Sequence, residues 1–139
     1  MSTPRRALLA EDNRDLLEIF AHQLTLLGLE VLGVSNGRDA VEMALAALGA
    51  GNPFDLVLMD LEMPILDGFE ATRRLRAGGF ASPIVALTGH STDDNRLDCL
   101  EMGCDDVVCK PIDWDRLGGL IRQYIPGLDA GRSSVDPDE

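Results

Sequence analysis

Five residues of this sequence have side chains suited to handling a cation or a phosphate, and each directly follows a short apolar run. Glu11 and Asp12 follow Ala7 to Ala10, Asp60 follows Asp55 to Met59, Thr88 follows Ile84 to Leu87, and Lys110 follows Val107 to Cys109. Brought together, three carboxylates repel one another. At 4 Å one such pair costs about 4 kcal/mol at an effective dielectric of 20. The lysine offsets one charge, and a divalent oxygen-seeking ion offsets two more. Mg²⁺ suits such a set, because it takes one or two carboxylates, keeps several waters and accepts phosphate oxygens. Calcium fits less well, since nothing here resembles the twelve-residue loop of an EF-hand.

With the cation in place, an ionised Asp60 is an oxygen nucleophile able to form an acyl phosphate. Phosphoryl transfer depends mainly on positioning and on neutralising charge on the equatorial oxygens. Lys110 would supply a point charge and Thr88 a hydrogen bond.

That chemistry requires convergence, so the elements matter. Apolar runs alternate five times with helix-patterned stretches. Strands are expected at Ala7 to Ala10, Glu30 to Val34, Asp55 to Met59, Ile84 to Leu87 and Val107 to Cys109. Helices are expected at Asp15 to Leu27, Arg38 to Leu48, Gly68 to Arg76, Thr92 to Met102, and from an Asp113 cap to about Ile125. In the first, Leu16, Phe20, Leu24 and Leu27 share one stripe. Strands that alternate with helices indicate an α/β fold, a parallel sheet covered on both faces. The common five-stranded order for a doubly wound, flavodoxin-like sheet is 2-1-3-4-5, with ligands bound at the carboxyl edge. That order puts Glu11 and Asp12 beside Asp60, Thr88 one strand away, and Lys110 two strands away, roughly 10 Å.

Each residue has an ordinary alternative. Glu11 and Asp12 suit a cap for the first helix, Thr88 a cap for the fourth (Ser91 and Thr92 are nearer), and Lys110 a solvated charge before Pro111. Five such residues at four strand ends on one edge make coincidence a poor account.

Composition sets the limits. The 139 residues suit one domain, with 45% hydrophobic content to fill a core. The net charge of −12 argues against binding nucleic acid or an anionic membrane. The apolar run after Met1 to Arg6 is too short for a signal peptide or a span, so a cytoplasmic location is expected. Cys99, Cys104 and Cys109 are expected to be reduced, at least partly buried thiols. Residues 5–126 are expected to form the domain, and the polar stretch 127–139 a flexible tail.

Four stretches resemble the response-regulator receiver domain of two-component signalling. They are Leu8-Leu9-Ala10-Glu11-Asp12-Asn13, Leu58-Met59-Asp60-Leu61-Glu62-Met63-Pro64 with Asp67-Gly68, Ala86-Leu87-Thr88-Gly89, and Lys110-Pro111-Ile112. The resemblance covers about residues 5 to 125. It implies that Asp60 takes a phosphoryl group from the phosphohistidine of a histidine kinase or histidine phosphotransfer protein. It implies Mg²⁺ ligation by Asp12, Asp60 and the Glu62 backbone carbonyl, with Glu11 acting largely through bound water. It also implies a cis Lys110-Pro111 bond, side chains at Glu62 and His90 that tune phosphoryl lifetime, and Asn13 with the first helix as the donor's docking surface. Such a domain is not a conventional enzyme, but it assists its own phosphorylation and dephosphorylation. Its output would be a phosphorylation-dependent contact with a downstream protein.

Two positions depart from the family pattern. Val107 stands where the family often has an aromatic residue that, with the Thr88 position, switches on phosphorylation; valine is small and stiff at χ1. Gly89 stands where alanine is frequent, and opens access to the phosphate.

Glu70 to Arg76 and Lys110 to Asp113 look like hybrid-kinase receivers, so a module of such a kinase is an alternative to a stand-alone receiver. A receiver-like scaffold that never carries phosphate is another, although such scaffolds usually lose the acceptor or the lysine. A flavin-binding protein would want a Ser/Thr/Gly loop where Glu11-Asp12-Asn13 stands, and a GTPase its G-x-x-x-x-G-K-[ST] loop. A haloacid-type phosphatase would want aspartate where Glu62 stands.

Overall fold

The computed structural model describes residues 4–89 and 92–128. The chain order is β1 (Arg5–Ala10), α1 (Arg14–Leu26), β2 (Leu29–Val34), α2 (Gly37–Gly49), β3 (Leu56–Asp60), α3 (Gly68–Ala77), β4 (Ile84–Thr88), α4 (Asp93–Met102), β5 (Asp106–Cys109) and α5 (Trp114–Tyr124). The five strands are parallel, in the order β2-β1-β3-β4-β5. This is the order expected for the doubly wound sheet.

Alternation along each strand divides the core in two. Leu8, Ala10, Val57, Met59, Ile84, Ala86 and Val107 face α2, α3 and α4, where Ala40, Ala44, Ala71, Leu75 and Cys99 pack on them. Leu9, Leu56, Leu58, Val85, Leu87 and Val108 face the other side, against Phe20 and Leu24 of α1 and Leu117 and Ile121 of α5. The central strands β3 and β4 are buried at every residue, which is why they read as unbroken apolar runs. The edge strand β2 is half exposed.

All five helix starts are set by side chains that accept a backbone N–H three residues on. Asn13 caps α1, Asn36 caps α2, Asp67 caps α3, Thr92 caps α4 and Asp113 caps α5. Asn13, not Glu11 or Asp12, therefore caps the first helix, and Thr92, not Thr88, caps the fourth. On α1, Phe20 and Leu24 are buried, while Ile19 and Leu26 are about half exposed (48% and 49%). The three cysteines are free, Cys99 and Cys104 buried and Cys109 partly so. Burial pushes the Cys104 thiol up to about 11, far from a reactive thiolate. Among the described residues, no helix is long and apolar enough to cross a membrane.

Candidate phosphoryl-acceptor site

The site lies at the carboxyl edge of the sheet. Asp60 and Thr88 are the last residues of β3 and β4, so both strands end one residue beyond the ends expected from sequence, because the ladder runs on through the pairs Asp60–Leu87 and Thr88–Cys109. Backbone bonds continue past the ends: Leu61 N–H donates to the Leu87 carbonyl (2.9 Å), Lys110 N–H to Thr88 (2.7 Å) and Glu11 N–H to Val34 (3.0 Å). Glu11, Asp60, Thr88 and Lys110 are thus held by backbone pairing with a neighbouring strand.

Glycine lets the loop after β3 fold tightly under the acceptor. A Cβ on Gly68 would lie 2.4 Å from the Asp60 carbonyl oxygen and 2.8 Å from the Leu61 Cα, both backbone atoms that cannot move aside. The start of α3 can sit beneath Asp60 only because residue 68 has no side chain.

The carboxylates converge. Oxygen atoms of Glu11, Asp12 and Asp60 all lie within 4.8 Å of one another, with Glu11 and Asp60 buried and Asp12 exposed. The Lys110 ammonium donates to Glu11 Oε1 at 3.0 Å and to Asp60 Oδ2 at 3.1 Å. The second oxygens are held by backbone: Asn13 N–H donates to Glu11 Oε2 (3.1 Å) and Glu62 N–H to Asp60 Oδ1 (3.0 Å).

Electrostatics follows from this crowding. Desolvation, joined by the charge of Glu11, pushes the Asp60 carboxyl up to about 6, against the lowering influence of the Glu62 amide and Lys110. Burial works against the charge on Lys110, but its bonds to Glu11 and Asp60 outweigh that and its net shift is upward. One ammonium against three carboxylates leaves excess negative charge, the situation a hard cation relieves. The all-oxygen donor set fits Mg²⁺.

Thr88 is fully buried, and its hydroxyl donates to Glu62 Oε2 at 2.9 Å. The Gly89 N–H points to Glu62 Oε1 at 3.4 Å, and Asn95 Nδ2 lies 3.4 Å from the Thr88 hydroxyl. Val107 is buried on the α4 side of the sheet, its carbonyl accepting from Arg96 Nη1 at 3.1 Å. The Lys110–Pro111 bond is cis. His90 and residues 129–139 lie outside the described residues.

The structure thus brings together Glu11, Asp12, Asp60, Glu62, Thr88, Gly89 and Lys110. Sequence reasoning missed Asn95, because nothing in its neighbourhood signals that it reaches back to Thr88. It also missed that the Glu62 side chain turns toward Thr88.

A family model described as the response regulator receiver domain matches residues 7–122. The osmosensing histidine protein kinase SLN1 of Saccharomyces cerevisiae is 32% identical over 124 residues, covering 88% of this chain and 10% of that protein. The transcriptional regulatory protein TcrA of Mycobacterium tuberculosis is 34% identical over 142 residues, covering 96% of this chain and 54% of that protein. The chain therefore spans from a tenth to about half the length of these two relatives. Among solved structures, the receiver domain of the sensor histidine kinase PA1611 of Pseudomonas aeruginosa, with magnesium coordinated in its active-site cleft, is 34% identical with a TM-score of 0.78. That match covers 88% of this chain and 98% of the other.

Proposed function

The chain belongs to the response regulator receiver domain family of two-component signalling, and on that premise we propose that Asp60 is its phosphoacceptor. The observation that carries this reading is the Lys110 ammonium 3.1 Å from Asp60 Oδ2 beside three converging carboxylates. Asp60 Oδ would form a bond to phosphorus as the N–P bond of a phosphohistidine breaks, the electron pair leaving with the imidazole nitrogen. Mg²⁺ would be held by Asp12, Asp60 and the Glu62 backbone carbonyl, and it supplies charge neutralisation on the phosphoryl oxygens. Glu11 would act on the metal largely through bound water, and it also holds Lys110 at 3.0 Å. Lys110 and the Thr88 hydroxyl bind the transferred group, and Gly89 leaves room for it. The residue thus assists its own phosphorylation rather than turning over a substrate.

The donor is a histidine kinase or histidine phosphotransfer protein. A hollow beside Lys110, lined by Leu16, Ile19, Phe20, Pro111, Ile112 and Trp114, gives its helix an apolar seat next to Asp60. The phosphorylated domain, residues 5–126, acts through contacts with a downstream protein. Val107 is buried, small and stiff at χ1, so it lacks the large side chain with which an aromatic switch would swing.

Intact-mass measurement after incubation with acetyl phosphate and Mg²⁺ tests this reading. The wild-type protein gains one phosphoryl group and Asp60→Asn gains none. Stoichiometric gain by Asp60→Asn would reject it.

A further inference from the structure

Glu62 is an exposed residue on the loop after β3, yet its carboxylate turns back onto the end of β4. One oxygen accepts from the Thr88 hydroxyl at 2.9 Å and the other faces the Gly89 N–H at 3.4 Å. Those two donors stand at the end of β4, one strand from Asp60. They are two donors, among the described residues, suited to a bound anion's oxygens on that side of Asp60. Meanwhile the Glu62 backbone N–H fixes Asp60 Oδ1 at 3.0 Å, so the carboxylate and the acceptor are anchored to the same residue.

We propose that the Glu62 carboxylate is an internal stand-in for the phosphoryl group, occupying the Thr88 and Gly89 donors in the unphosphorylated protein and leaving them when Asp60 is phosphorylated. The proposal rests on the phosphoacceptor reading of Asp60. Two anions cannot share one pair of donors, and two negative groups at contact distance repel. Phosphate uptake therefore includes the displacement of Glu62. On this reading Glu62, on the loop of residues 61–67, changes place between the two states. Glu62 thereby opposes acquisition of the phosphoryl group, and it does so through Thr88.

The test is a titration with beryllofluoride in the presence of Mg²⁺, followed by intrinsic fluorescence or NMR, on wild type, Glu62→Gln and Glu62→Ala. Glu62 is exposed and its side chain serves no core contact, so both variants fold. Glu62→Ala is expected to bind about tenfold more tightly than wild type, the scale of one hydrogen bond to a charged group. Glu62→Gln keeps an acceptor but loses the charge, and falls between them. In a Thr88→Ala background the gain from Glu62→Ala shrinks to less than threefold. Equal affinity of wild type and Glu62→Ala, or an undiminished gain without the Thr88 hydroxyl, overturns this proposal alone. Failure of every protein to bind beryllofluoride overturns the phosphoacceptor reading and this proposal with it.

Discussion

The Lys110 ammonium lies 3.1 Å from the Asp60 carboxylate across 50 residues of sequence, and the same nitrogen lies 3.0 Å from Glu11. One cation thus ties two buried carboxylates at the ends of different strands, Glu11 just after β1 and Asp60 closing β3. The Lys110 side chain is itself about a fifth exposed, so an arriving group can reach it.

Removing that cation leaves Glu11 and Asp60 buried without a counter-charge. Lys110→Ala is expected to lose about 3 kcal/mol of stability at neutral pH without Mg²⁺, the scale of a broken buried pair. Part of the loss returns on adding Mg²⁺ or lowering the pH, because either removes carboxylate repulsion. Urea unfolding with and without Mg²⁺ measures this; an unchanged midpoint would remove the claim that Lys110 balances the cluster.

Asp60 gives a pH dependence of defined sign. Its carboxyl is raised from 3.8 to about 6, so the folded protein holds this proton to higher pH than the unfolded chain. Its ionisation therefore destabilises the metal-free protein progressively as pH rises from about 4 through about 6. Asp60→Asn lacks this titration, so its melting temperature should exceed that of wild type by more at pH 7.5 than at pH 4.5. A difference that is constant with pH would contradict the raised carboxyl.

Gly68 is predicted to tolerate no side chain. A Cβ there meets the Asp60 carbonyl at 2.4 Å, so Gly68→Ala pushes on the acceptor's own backbone. A loss of about 2 kcal/mol is expected from such overpacking, with slower labelling by acetyl phosphate. Wild-type stability and labelling in Gly68→Ala would show that the loop relaxes freely.

Ile65 adopts φ 73° and is 66% exposed. A β-branched residue in the left-handed region is strained, at about 1–3 kcal/mol. Asparagine visits that region more readily, and little burial is lost with the isoleucine. Ile65→Asn should raise stability by about 1 kcal/mol in urea unfolding. Destabilisation would mean that the Ile65 side chain packs to more effect than its exposure implies.

Much of this was legible because strong local signals agreed. Leu56, Val57 and Leu58 announce a strand buried on both faces, and the polar residues that follow each such run must then gather at one edge. Boundaries moved by a residue where sheet pairing or a cap decided them. Asp60 and Thr88 pair with Leu87 and Cys109 and so close their strands, and Asn13 caps α1 so that Arg14 opens it. What sequence did not convey was side-chain direction. Neither spacing nor residue type signals that the Glu62 side chain turns to Thr88, or that Asn95 reaches back to the Thr88 hydroxyl at the end of β4. The strain at Ile65 was equally hidden, since isoleucine gives no hint of a left-handed backbone. His90 lies outside the described residues.

The most direct test of the account is to locate the phosphoryl group. After phosphorylation with acetyl phosphate and Mg²⁺, borohydride reduction of the acyl phosphate and peptide sequencing by mass spectrometry should place the modification on Asp60 alone. Modification at Asp12, Glu11 or any residue other than Asp60 would contradict it.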